Sequence, residues 1–142
     1  MIIQSLSETE TAGIAAKMAS QIRARAIITL QGPLGGGKTV FARALIRALG
    51  NDAGLEVPSP TFTLLQTYET PLGPLYHFDL YRLKTPEEIY ELGWEEALSE
   101  GITLVEWPER LGPLLPPSRL DIHLAPVENN PDSRTITIKR TP

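Results

Sequence analysis

The sequence contains no cysteine, which excludes a disulfide framework, thiolate-ligated metal and cysteine nucleophiles. It also lacks a surplus of positive charge. Lys and Arg number 13 against 17 Asp and Glu, for a formal net charge of −4 and a pI near 5.2. A broad basic surface that follows nucleic-acid phosphates is therefore not expected, and any dealing with RNA should pass through a partner. No apolar run approaches the roughly 18 residues of a membrane span. The opening MIIQSLSETE has neither a basic stretch nor a long apolar one, so no signal peptide is expected. These absences leave one expected domain over residues 1–142, cytoplasmic and without a membrane partner. Its 42% hydrophobic content suffices for a single core.

The elements that are present follow from local pattern. Residues 2–6 are a short apolar strand, after which Ser7 can cap a helix and Glu10 can complete a capping box. Ile14, Met18 and Ile22 then give that helix an apolar face. The continuous AIITL at 26–30 predicts a strand buried on both sides, as in a parallel sheet. Residues 38–49 read as a helix, with Phe41, Leu45 and Leu49 on one face and Gly50 at its end. Segments 61–68 and 75–80 alternate and are joined by a Pro- and Gly-bearing turn, so they predict a hairpin. Thr85, Pro86 and two acids open a short helix that Gly93 ends. ITLVEW at 102–107 is a short buried strand ending in an acid. After a Pro-rich link at 113–117, residues 119–125 and 134–140 alternate as a closing antiparallel pair. The charges of this last segment fall where a solvated face would carry them, and it receives no functional assignment. The mixed order predicts a parallel α/β core with antiparallel additions.

One stretch carries most of the chemistry. Gly32-Pro33-Leu34-Gly35-Gly36-Gly37-Lys38-Thr39 satisfies G-x-x-x-x-G-K-[ST] in full. Glycines let backbone N–H groups turn toward one anion, and the following helix adds the positive end of its dipole. The Lys38 ammonium suits β- and γ-phosphates, and the Thr39 hydroxyl suits Mg²⁺. A chance match in a chain of this length has a frequency of about half a per cent. The bland alternative is a flexible glycine turn, which the strand before and the helix after disfavour. No G-x-G-x-x-G begins at Gly32, so a dinucleotide fingerprint is not present.

Two acids are candidates to complete such a site. Glu106 ends an apolar strand, where a P-loop protein needs a second acid near its metal. Strands also end in charge simply on reaching solvent. Asp79 sits among apolar residues on a half-buried strand, so its carboxylate needs a partner or a cation. It can orient or deprotonate a water, or form a structural pair with His77 on the same strand face; Arg82 falls on the opposite face. Ser59-Pro60-Thr61-Phe62 can be a γ-phosphate switch or an ordinary turn, and chemistry alone favours the turn. Trp107 reads most simply as core packing, and Arg110 as an exposed arginine without an arginine-finger role.

Together, GPLGGGKT, SPTFTLLQTYE, LYHFDLYRL, IYELGWEEAL and VEWPER stand in the order and at the spacing of the TsaE (YjeE) family. The resemblance spans about residues 5–111. It implies a three-layer α/β P-loop NTPase fold with a mostly parallel central sheet, and binding of ATP with Mg²⁺. Family members are bacterial ATPases needed for N6-threonylcarbamoyladenosine in tRNA, acting with TsaD and TsaB. Carried over by motif, Leu34, Gly35, Gly36, Gly37, Lys38 and Thr39 would hold the phosphates, and Thr39 with Glu106 would bind Mg²⁺. Thr61 would be the switch residue, Asp79 the water-activating base, and Lys38 would serve both binding and catalysis. Trp107 would lie near the nucleotide or a partner, and Glu8 near the adenine. Two positions depart from the family pattern. Pro33 replaces a usual acid and removes an N–H. Gly36 stands where Ala is common, which adds freedom and raises no steric bar. A small-molecule kinase would need a lid and acceptor pocket, and a GTPase an N-K-x-D motif. A nucleotide-gated scaffold with incidental hydrolysis is the non-enzymatic alternative.

Overall fold

In the computed structural model, which describes residues 1–141, the apolar run before the glycine loop becomes β2 (Ile27–Gln31), an interior strand of a seven-stranded sheet. The chain runs β1 (Ile2–Ser5), α1 (Glu8–Ala19), β2, α2 (Lys38–Leu49), β3 (Leu65–Thr70) and β4 (Gly73–Asp79). It continues through α3 (Trp94–Glu100), β5 (Ile102–Glu106), β6 (Arg119–Val127) and β7 (Asn130–Thr141). The strand order is β1-β7-β6-β2-β5-β4-β3.

The pairings β2–β5, β2–β6 and β4–β5 are parallel, and β1–β7, β6–β7 and β3–β4 are antiparallel. The sheet is therefore mixed, which corrects the expectation of a mostly parallel one. The reason lies in the connections. Short turns join β3 to β4 and β6 to β7 and so enforce antiparallel pairing, and β1 adds to β7 at an edge. Only the strands around β2, linked through helices and long loops, run together.

Both faces of the centre are covered. On one, Phe41, Leu45 and Ile46 of α2 pack with Ile28, Leu30, Leu104 and Ile122; Ala15 and Met18 of α1 join them. On the other, Phe78, Trp94, Val105 and Leu111 form a second cluster, with Phe78 and Trp94 edge-on at 5.3 Å between ring centroids. Leu104 and Val105 thus serve opposite clusters, as the period-two alternation of a doubly covered strand requires.

Local differences from the sequence reading have local causes. Ser7 accepts from the Glu10 N–H at 3.1 Å, but the Glu10 carboxylate reaches the Leu6 N–H instead of closing the box on Ser7. Helix α1 ends before Ile22, which is buried beyond it. β3 begins at Leu65, so Thr61 lies in a turn and not on a strand. The helix after Thr85 is a 3₁₀ turn, Pro86–Leu92, with Thr85 and Glu88 forming a capping box. Gly93 ends it at φ 84 and also starts α3, a helix the sequence reading did not identify. Among the described residues no helix is long and apolar enough to cross a membrane.

Candidate functional site

The parallel strands set the site. Register places Leu30 of β2 opposite Glu106 of β5, and Glu106 opposite Asp79 of β4. Both acids therefore arrive at the carboxyl ends of adjacent strands, beside the loop that leaves β2. That edge is where open α/β sheets hold ligands. The loop ends at Gly37, whose φ of 98 supplies the left-handed turn that opens α2. No side chain caps α2, so the N–H groups of its first turn remain free for an anion.

Within this frame, Glu8, Leu34, Gly35, Gly36, Gly37, Lys38, Thr39, Thr61, Asp79, Glu106 and Trp107 line one cleft of about 290 Å³. The structure thus brings together every site residue that the sequence singled out. Arg110 is outside the lining, with its guanidinium 5.9 Å from the centre of the Tyr81 ring.

Lys38 is buried, and its ammonium donates to the carbonyls of Gly32 and Pro33. It also sits 4.1 Å from the centre of the Trp107 ring. Burial lowers the pKa of Lys38, while the charges of Glu106, Glu109 and Asp79 oppose that shift. Trp107 holds left-handed backbone angles, φ 59 and ψ 50, at a cost of about 1–3 kcal/mol for a residue of this kind. Tyr81 braces it, with ring centroids 4.9 Å apart. Core packing, the simpler reading of this tryptophan, describes only part of it: the ring packs against the second cluster and also meets the Lys38 ammonium.

The two acids have different surroundings. Asp79 accepts from the Thr61 hydroxyl and from the Tyr81 N–H, each at 3.1 Å, and the Ser59 and Thr61 hydroxyls are 2.8 Å apart. Burial raises the pKa of Asp79, aided by nearby Glu106; the Tyr81 N–H, the Thr61 hydroxyl and His77 work against the rise. Glu106 accepts from His77 Nε2 at 2.6 Å. The structure therefore corrects the His77–Asp79 pair: His77 shares Asp79's strand face, but its ring reaches across to β5. His77 Nδ1 is buried without a partner, so the ring's one polar contact is with Glu106. Arg82, placed on the opposite face by alternation, has its guanidinium 4.3 Å from the centre of the exposed Phe62 ring.

Among the described residues no three His, Cys, Asp or Glu side chains converge as a metal cage. Thr39 and Glu106 share the cleft as one hydroxyl and one carboxylate. Such a sparse oxygen set fits Mg²⁺, which takes few protein ligands and fills its octahedron with phosphate oxygens and water.

Pro33 and Gly36, the two positions expected to depart from the resembled pattern, meet in space. A Cβ at Gly36 would lie 2.8 Å from the Pro33 carbonyl oxygen and 3.1 Å from Pro33 Cδ. Gly36 also donates its N–H to that carbonyl at 2.9 Å. Glycine at 36 is thus a steric requirement of this loop, and alanine would meet a bar that the sequence did not reveal.

Sequence reasoning missed Asp132 and Arg134, which line the cleft from β7; Arg134 begins the segment given no function. The Arg134 guanidinium reaches loop residues 98 and 99 positions away in sequence. No short-range signal marks such a contact.

Fold and site together define an α/β protein that presents a glycine-rich loop at a helix N-terminus beside two buried carboxylates. The family model described as "Threonylcarbamoyl adenosine biosynthesis protein TsaE" matches residues 5–136. The chain belongs to the TsaE family. Among proteins named "tRNA threonylcarbamoyladenosine biosynthesis protein TsaE", that of Rickettsia bellii is 49% identical over 118 residues, covering 83% of this chain and 81% of the relative. That of Rickettsia typhi is 43% identical over 134 residues, 94% of this chain and 91% of the relative. The crystal structure of YdiB from Bacillus subtilis superposes with a TM-score of 0.80 at 30% identity, covering 100% of this chain and 86% of that one.

Proposed function

We propose that this chain has a P-loop NTPase fold and is an ATP-binding, Mg²⁺-dependent ATPase subunit. Its role is in N6-threonylcarbamoyladenosine modification of tRNA, with TsaD and TsaB as partners. The observation that carries the reading is the register of Leu30, Glu106 and Asp79, which sets two buried acids beside Lys38 and Thr39. Membership of the TsaE family and the names of the Rickettsia relatives support the pathway.

In this reading the amides at the start of α2 and the Lys38 ammonium hold the phosphates. Thr39 and Glu106 hold Mg²⁺, which when bound neutralises charge on the phosphate oxygens. Asp79 orients a water and accepts its proton as the water oxygen bonds to the γ-phosphorus. The bond from that phosphorus to the β–γ bridging oxygen breaks, and ADP and phosphate leave. The raised pKa of Asp79 makes it a better proton acceptor than an ordinary aspartate. Thr61, bonded to Asp79, couples the 59–64 turn to this event. His77 holds Glu106 in place from the adjacent strand.

The test is ATP turnover by the purified chain, alone and with TsaD and TsaB from the same organism. Partner-stimulated turnover that disappears in Lys38→Ala and Glu106→Ala supports the reading. Phosphate transfer to a metabolite, indifferent to the partners, overturns it in favour of a kinase. ATP binding with partner association but no turnover favours a nucleotide-gated scaffold.

A further inference from the structure

The β6–β7 hairpin delivers one side chain to the glycine loop. Arg134 lies on β7, opposite Ser5 of β1 in register, and is half-buried. Its Nε donates to the Gly36 carbonyl at 2.8 Å and its Nη2 to the Gly35 carbonyl at 2.9 Å. Its Nη1 donates to the carbonyls of Pro131 and Ser133, each at 2.7 Å. One guanidinium therefore ties two successive loop carbonyls to the start of β7. The approach is close: a Cβ at Gly37 would lie 3.3 Å from Arg134 Nε.

We propose that Arg134 is a positioning residue for the glycine loop, fixing its peptide planes before any phosphate arrives. A peptide unit is planar, with its C=O and the next N–H pointing in opposite directions. Holding the Gly36 carbonyl therefore turns the Gly37 N–H away from Arg134. Holding the Gly35 carbonyl does the same for Gly36, whose N–H is in turn fixed on Pro33. Three consecutive glycines otherwise keep wide backbone freedom, which a ligand would have to remove on binding. The fork geometry of arginine suits this task, because one rigid plane serves several acceptors at once; a lysine presents a point charge.

For its effect on ATP this inference rests on the nucleotide-site reading, so the test has an arm that needs no nucleotide. Hydrogen–deuterium exchange is followed at the Gly36 amide, the loop N–H held on the Pro33 carbonyl, in nucleotide-free wild type, Arg134→Ala and Arg134→Lys. ATP affinity is measured by titration in parallel. Arg134→Ala should exchange this amide at least tenfold faster and bind ATP at least tenfold more weakly. Free guanidinium at low millimolar concentration should partly restore both. Arg134→Lys keeps the alkyl stem and charge; with its melting temperature within a few degrees of wild type, its Gly36 amide should still exchange severalfold faster. Unchanged Gly36 exchange in the folded lysine variant overturns the proposal, even if ATP affinity falls, since Arg134 would then act only by touching the ligand. A wild-type chain that binds no ATP sinks the nucleotide reading instead, and leaves the exchange result to judge the clamp.

Discussion

Replacing Asp79 with asparagine separates binding, hydrolysis and stability. The change is nearly isosteric, and both present contacts survive it: the amide oxygen can accept from the Tyr81 N–H, and the amide N–H₂ can donate to Thr61. What goes is the proton-accepting carboxylate. Removing a positioned general base costs about 10²–10⁴-fold, or about 2.7–5.4 kcal/mol of barrier. ATP affinity should stay within about threefold, because in the proposed mechanism Asp79 meets the attacking water while Lys38 and the α2 amides hold the phosphates. Stability has a definite sign. Burial raises the folded-state pKa above the ordinary 3.8, so the ionised form costs the folded protein stability at neutral pH. That cost is fully present above the folded pKa and disappears as pH falls toward 3.8. Asparagine should therefore melt higher than wild type at pH 7, with the gap closing as the solution is acidified. The assays are single-turnover hydrolysis, ATP titration and thermal melts from pH 7 to pH 4. Collapse of ATP binding together with a lower melting temperature at pH 7 would refute the reasoning and make Asp79 a structural residue.

ATP should raise the melting temperature of the wild type and leave that of Lys38→Met unchanged. Because burial lowers the Lys38 pKa below 10.5, its ammonium costs stability at neutral pH; wild type should gain on the variant in melts as pH rises toward 10.5. Gly36→Ala should weaken ATP binding about tenfold or more in titrations, and Pro33→Ala should not fully restore it, since the nearest atom to the new Cβ is a backbone oxygen. Gly101→Ala places a Cβ 2.2 Å from the Pro74 carbonyl oxygen, far from the cleft. It should cost about 1–3 kcal/mol in denaturant unfolding, with ATP affinity unaffected in the folded fraction.

The features legible in the sequence are those encoded within a few residues. The glycine loop, the faces of α2, the Thr85 cap and the hairpin turn before Gly73 all depend on near neighbours. So does the placement of Glu106 at a strand end, whereas alternation puts Asp79 within a strand that the structure ends at it. Pairing is different. Nothing local to residues 119–141 says that β6 joins β2 in parallel while β7 returns antiparallel, and the mixed sheet follows from those choices. Alternation put His77 on the right face yet could not give the register that selects Glu106 over Asp79. Gly93 read as a stop because a left-handed glycine usually ends a helix; here it joins two. Arg134 was invisible for the plainest reason, as an alternating strand with polar residues looks the same whether they meet water or a distant loop.

The central claim is that the loop, Thr39 and Glu106 form one Mg²⁺–ATP site, and calorimetric titration of the purified chain tests it most directly. ATP is titrated with and without Mg²⁺, into wild type and into Glu106→Gln. Wild type should bind ATP at least tenfold more tightly with Mg²⁺, and Glu106→Gln should lose that gain while still binding metal-free ATP. Wild-type binding that ignores Mg²⁺, or a Mg²⁺ gain that survives in Glu106→Gln, would contradict the account.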